Sequence, residues 1–238
     1  MTRERGSADS AGLEALYPFL YSDTNDLDKV LAQVRQSTVD KAHEILELRR
    51  IVRDNDGERL LVCAQEMARL FVAGGRLLAF GNGGSSTDAQ DLASLFLSPA
   101  GGARPLPAFG LTNDIAVVTA LSNDIGFDVV FARQLGAFGR AGDIAVGLST
   151  SGNSANLLRA FDEAARRGML TVGIAGYDGG KMAELDTIDY LFVVPSSSVH
   201  RIQEAQTTLY HALWELSLAA LAAQDAGRAN PAPRADHH

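Results

Sequence analysis

A single cysteine, Cys63, is all that the 238 residues offer for disulfide chemistry. A lone thiol cannot close an internal bridge, which suits a reducing cytosol. Its apolar, helix-like surroundings read as a buried structural thiol rather than a nucleophile. Basic clusters are also missing. With a formal net charge of −8, the chain is a poor candidate for nucleic-acid binding, and an anionic ligand must be held by local geometry. No apolar run approaches the ~20 residues needed to cross a bilayer. Met1 to Asp9 is polar, without the apolar core of a signal peptide. A cytoplasmic protein with no membrane partner is the expectation.

What is present is concentrated in two short stretches, Phe80-Gly81-Asn82-Gly83-Gly84-Ser85 and Leu148-Ser149-Thr150-Ser151-Gly152-Asn153-Ser154. Each follows an apolar, strand-like run and leads into a helix-like one. Small residues at such a turn let backbone N–H groups point outward, where the helix start adds partial positive charge. Asn82, Ser85, Ser149, Thr150, Ser151, Asn153 and Ser154 add neutral hydrogen-bonding groups beside them. The combination suits a phosphate or another small anion.

With 46% hydrophobic residues the chain can bury a substantial core. Residues 1–12 and the proline-bearing tail 223–238 are expected to be unstructured, with a single domain over 13–222. Two long amphipathic helices, Asn25–Asp54 and Glu58–Val72, open that domain. From Arg76 strands and helices alternate, with strands expected at 76–80, 106–111, 143–148, 170–175 and 188–194. These strands are apolar runs, as in a parallel sheet covered on both faces. The fold class is therefore α/β, and ligands of such sheets sit beyond the carboxyl ends of the strands.

Gly81-Asn82-Gly83-Gly84-Ser85 with Asp88-Ala89, and Leu148 to Asn156, resemble the two sugar-phosphate loops of the sugar isomerase (SIS) domain. Asp178-Gly179-Gly180-Lys181-Met182 and Arg201-Ile202-Gln203-Glu204 are similar to those of the phosphoheptose isomerases, which interconvert sedoheptulose 7-phosphate and a mannoheptose 7-phosphate. The resemblance spans about Asn25 to Ala222. It implies a five-stranded parallel sheet in a flavodoxin-like three-layer sandwich, and a homotetramer with sites between subunits. It also implies that Ser85, Ser149, Thr150, Ser151 and Ser154 hold the phosphate while Asn82 and Asp124 meet the sugar hydroxyls. Gln203 and His211 fall at zinc-ligand positions, and the histidine doubles as proton donor.

Three departures bear on chemistry. Asp91 stands where the family has a metal-ligand histidine, and Leu95 where it has the glutamate that is both ligand and base. His200 replaces the aspartate before Arg-Ile-Gln. Leucine cannot accept a proton, so Asp91 or His200 would have to serve as base beside His211. Asp91, Gln203 and His211 remain as an incomplete set for zinc. The resemblance thus implies a sugar-phosphate-binding SIS protein similar to aldose–ketose isomerases. The alternative is a catalytically silent relative that senses a sugar phosphate and binds another protein. Tyr210 and Trp214 are assigned to packing.

Overall fold

The computed structural model describes residues 27–229. The segment 1–12, expected to be unstructured, and residues 230–238 of the tail lie outside the described residues. Helix α1 runs Leu27–Val72 without a break, where the sequence predicts two helices separated near Asp54–Glu58. The turn-like Asp54-Asn55-Asp56-Gly57 run does not stop it. A glycine inside a helix costs only ~1 kcal/mol, and burying Val52 and Leu60 on either side offsets that. By internal contacts the chain divides after Leu46, with the early turns of α1 in one compact unit and Glu47 onward in the other.

The second unit alternates strands and helices: β1 (Leu77–Gly81), α2 (Gly84–Leu97), β2 (Ala108–Gly110), α3 (Ile115–Asp124), α4 (Val130–Phe138), β3 (Ile144–Leu148), α5 (Ala155–Arg166), β4 (Leu170–Gly176), β5 (Tyr190–Val194) and α6 (Val199–Ala229). The strands form one parallel sheet in the order β2-β1-β3-β4-β5. Asp114 starts α3 by accepting the N–H groups of Ala116 and Val117, a side-chain cap. Helix α6 continues seven residues into the segment expected as a tail. Its alanines at 219, 220, 222, 223, 226 and 229 are the strongest helix formers available.

Every residue of β1, β3 and β4 is buried, because helices cover both faces. Helices α2 and α6 pack together on one face, where Phe71 and Phe96 meet at 5.2 Å. Helices α4 and α5 cover the other, over Leu78, Phe80, Phe131, Leu135 and Phe161. Arg76 and Asp143 form a paired bridge at the amino ends of β1 and β3 (2.5 Å), Asp143 also accepting the Arg76 backbone N–H at 2.9 Å.

Gly147, in the middle of β3, leaves room for two rings: a methyl there would come within 2.5 Å of Phe161 and 2.7 Å of Phe80. Replacing Gly147 by Ala should therefore destabilise the protein by ~1–3 kcal/mol through overpacking, read as a lower urea midpoint at unchanged slope.

Candidate active site

The sheet order places the site. The chain leaves β1 toward β2 on one side and returns in β3 on the other side of β1. The helices that follow these two adjacent strands therefore lie on opposite faces, and a crevice opens between their carboxyl ends. Both glycine- and serine-rich loops stand at that crevice. They are tied by a reciprocal amide pair: Asn82 Nδ2 donates to Asn156 Oδ1, and Asn156 Nδ2 donates to Asn82 Oδ1, each at 2.9 Å. Asn156 is buried, so water competes little for these bonds.

Within the second loop, two hydroxyls each accept one backbone N–H. Ser149 Oγ accepts the Gly152 N–H at 3.0 Å and Ser151 Oγ that of Asn153 at 3.3 Å. A hydroxyl has one proton to donate, and this arrangement leaves it for a ligand. Ser154 is the N-cap of α5 but makes no side-chain cap bond. Gly152, at φ +66°, lets the loop lie against its neighbour, since a methyl there would overlap the Gly179 carbonyl. Asn153 Oδ1 accepts the Lys181 N–H at 3.0 Å, which fastens the loop to the Asp178-Gly179-Gly180 turn. In the first loop Ser85 is buried at the start of α2.

Helix α6 supports both loops. The Gln203 amide lies against Gly84, leaving no space for a Cβ there. Its nitrogen donates to Asp88 Oδ2 at 3.4 Å. Three residues on, Gln206 Nε2 donates to the carbonyl of Ser149 at 3.0 Å and to that of Ile174 at 3.4 Å. The Gln206 Oε1 atom is buried without a partner. Further along, Tyr210 donates its hydroxyl to Asp91 Oδ2 at 2.7 Å, and His211 Nε2 lies 3.7 Å from the same oxygen. The Tyr210 and His211 rings stack at 5.2 Å, with Trp214 edge-on to His211 at 6.3 Å. Burial, reinforced by the Asp91 carboxylate, pushes the Tyr210 phenol far above its ordinary value, so it keeps its proton and remains a donor.

Of the residues singled out in the sequence, Asn82, Ser85, Ser149, Thr150, Ser151 and Ser154 lie on the two paired loops. Asp91 and His211 approach each other between α2 and α6, while Gln203 meets Asp88 instead. His200 is exposed in the first turn of α6, and Leu95, half-buried on α2, has no group able to take a proton. Asp124 closes α3 on an exposed turn, where its carboxylate accepts from Asn123 at 2.9 Å. Sequence reasoning missed the role of Asn156, and it gave Tyr210 packing alone. A polar tip on a core residue beside a site histidine was the available signal.

The zinc implied by resemblance does not fit these residues. Among the described residues no group of three His, Cys, Asp or Glu side chains is placed to hold a metal ion. Asp91 is engaged by a phenol, and the Gln203 amide turns its nitrogen, which cannot ligate, toward Asp88.

Known proteins bear on this geometry directly. The SIS domain profile matches residues 42–176. The chain belongs to the SIS domain family. It is 40% identical over 179 residues to the phosphoheptose isomerase of Roseiflexus sp. (strain RS-1), covering 75% of this chain and 90% of that one. Identity to the phosphoheptose isomerase of Burkholderia pseudomallei (strain 1710b) is 46% over 159 residues, covering 65% and 80%. The structure of phosphoheptose isomerase GmhA from Neisseria gonorrhoeae superposes with a TM-score of 0.70 at 37% identity, over 78% of this chain and 99% of that one. A phosphoheptose isomerase from Francisella tularensis gives 0.71 at 29% identity, over 80% and 98%. The five-stranded parallel sheet flanked by helices is thus a shared fold.

Burial pushes the Asp88 carboxyl above its ordinary range; the Gln203 amide opposes this and the Asp91 charge adds to it. Between the unfolded and folded values the folded chain binds more protons, so stability falls as pH rises through that window. Asp88→Asn should therefore raise the melting temperature at neutral pH. The gain should disappear below about pH 3.9, the ordinary aspartate value. Thermal scans across pH check it.

Proposed function

We propose that this protein is an aldose–ketose isomerase acting on a sugar phosphate, with a phosphoheptose as the substrate class that the names of its relatives give. The observation that carries the reading is the pair of loops locked by Asn82 and Asn156 beside an acid–base group on α2 and α6. Ser85, Ser149, Thr150, Ser151 and Ser154 hold the phosphate through neutral donors, each worth ~0.5–1.5 kcal/mol and more toward a charged oxygen. Asn82 and Asp124 reach the sugar hydroxyls.

The chemistry moves one proton between adjacent carbons. Asp91 takes the proton from the carbon beside the carbonyl, and the freed electron pair forms the enediol double bond. His211 gives its imidazole N–H proton to the carbonyl oxygen. It then takes the proton of the neighbouring hydroxyl as Asp91 returns its own to the other carbon. Both groups end as they began, and the sugar is isomerised. His200, exposed and unattached to this group, is left outside the reaction.

The protein works as a cytoplasmic homo-oligomer, a tetramer by resemblance. Among the described residues no helix is long and apolar enough to cross a membrane. Leu31, Val34, Val39 and Leu46 in the early turns of α1 are exposed, as are Leu61 and Val62 in the second unit, apolar area that association would cover. Light scattering should return a multiple of the 25.3 kDa chain mass; a monomer at micromolar concentration would refute the assembly.

The decisive measurement is incubation with sedoheptulose 7-phosphate in deuterated water, followed by NMR. Deuterium should enter at the carbon next to the carbonyl, and Asp91→Asn should slow its entry by about 10²–10⁴-fold. A protein that binds the sugar phosphate yet shows no exchange is not an isomerase.

A further inference from the structure

The position that holds the base in the resembling family is Leu95 here, and the residues expected to hold zinc are otherwise engaged. What engages Asp91 is Tyr210, whose side chain is almost wholly buried, at 2% exposure, and delivers its hydroxyl to Oδ2. Asp91 itself keeps 52% of its side chain exposed. A carboxylate so exposed would ordinarily spread over several rotamers, and fixing one has an entropic cost. The phenol removes that freedom. Its own ring cannot wander, because it is packed in the core and stacked on His211. Both contacts to Asp91, from Tyr210 and His211, fall on Oδ2, which leaves Oδ1 for the carbon acid.

We propose that Tyr210 is the positioning residue of this site, holding the Asp91 carboxylate for proton abstraction in place of the metal-centred arrangement. The inference rests on the isomerase reading and deepens it. Tyr210 touches neither substrate nor the moving proton; its hydroxyl proton stays in the bond to Asp91 throughout. Phosphate binding belongs to the two loops, whereas the Tyr210 hydroxyl donates to Asp91 on α2, so its removal should spare ground-state affinity. A base displaced by a fraction of its reach loses rate rather than binding.

Tyr210→Phe keeps the packed ring and deletes only the hydroxyl. In the full-length protein it should lower kcat for exchange or turnover by roughly 10–100-fold, with KM within about twofold and little change in melting temperature. Exchange by the wild type should persist after exhaustive chelation. A second readout needs no turnover: the tyrosine doublet in ultraviolet resonance Raman, taken as the difference between wild type and Tyr210→Phe, should report a strong hydrogen-bond donor. In Asp91→Asn that doublet should shift toward a weaker donor.

Several results overturn the inference: a Tyr210→Phe enzyme with wild-type kcat, equal changes in kcat and KM, activity lost on chelation, or a doublet indifferent to Asp91→Asn. Failure of the isomerase reading looks different. There the wild type binds the sugar phosphate and exchanges nothing, and the role of Tyr210 as holder of a base falls with it.

Discussion

The alignment of the two loops at the crevice rests first on two hydrogen bonds between Asn82 and Asn156. Strands β1 and β3 are neighbours in register from Leu77–Ile144 to Gly81–Leu148, but their chains diverge immediately afterwards onto opposite faces. Backbone pairing ends where the loops begin. Without a crossing tie, the two loops would have no direct side-chain bond to each other, and would be held by α6 and the Asp178-Gly179-Gly180 turn alone. A primary amide carries both donor and acceptor in one plane, and two of them face to face satisfy each other. Because Asn156 is buried, breaking the pair would leave polar atoms unpaired rather than hydrated. At the other end of the same two strands, Arg76 and Asp143 play the corresponding part with charge.

Helix α6 is the second constraint, and it acts through amides as well. Gln203 rests on the first loop, Gln206 holds the carbonyl behind the second, and Tyr210 reaches across to α2. Residues 203, 206 and 210 follow helical spacing, so one face of one helix sets three features of the site. The acidic pair Asp88 and Asp91 is met there by neutral donors and one imidazole. Burial raises the Asp88 carboxyl against the pull of the Gln203 amide, and burial together with the Asp91 carboxylate keeps the Tyr210 hydroxyl protonated.

Local features were legible in the sequence and distant pairings were not. The two loops could be read because each is contiguous, with small and hydroxylated residues directly after an apolar strand. The strands could be read because burial on both faces leaves no polar alternation. The break expected near Gly57 failed because a turn-like tetrapeptide is a weak signal beside buried neighbours on either side. The tail expected from residue 223 is helical to Ala229, where alanine content outweighed the proximity of prolines. Asn82 and Asn156 lie 74 residues apart, and Asp91 and Tyr210 lie 119 apart. No periodicity links such positions, so the tie between loops and the phenol on the carboxylate emerge only when the sheet order brings them together.

The amide tie also sets how this molecule ages. Asn82 is followed by Gly83, and asparagine before glycine is the pairing whose side chain is most readily lost to hydrolysis, since no Cβ shields the attacking backbone nitrogen. Conversion of Asn82 to aspartate would exchange its donating nitrogen for an acceptor oxygen. The buried Asn156 Oδ1 would then face another acceptor, and half of the tie would become repulsion. The sheet, held at its far end by Arg76 and Asp143, would stand. Such a conversion would cost the alignment of the two loops while the fold stayed intact.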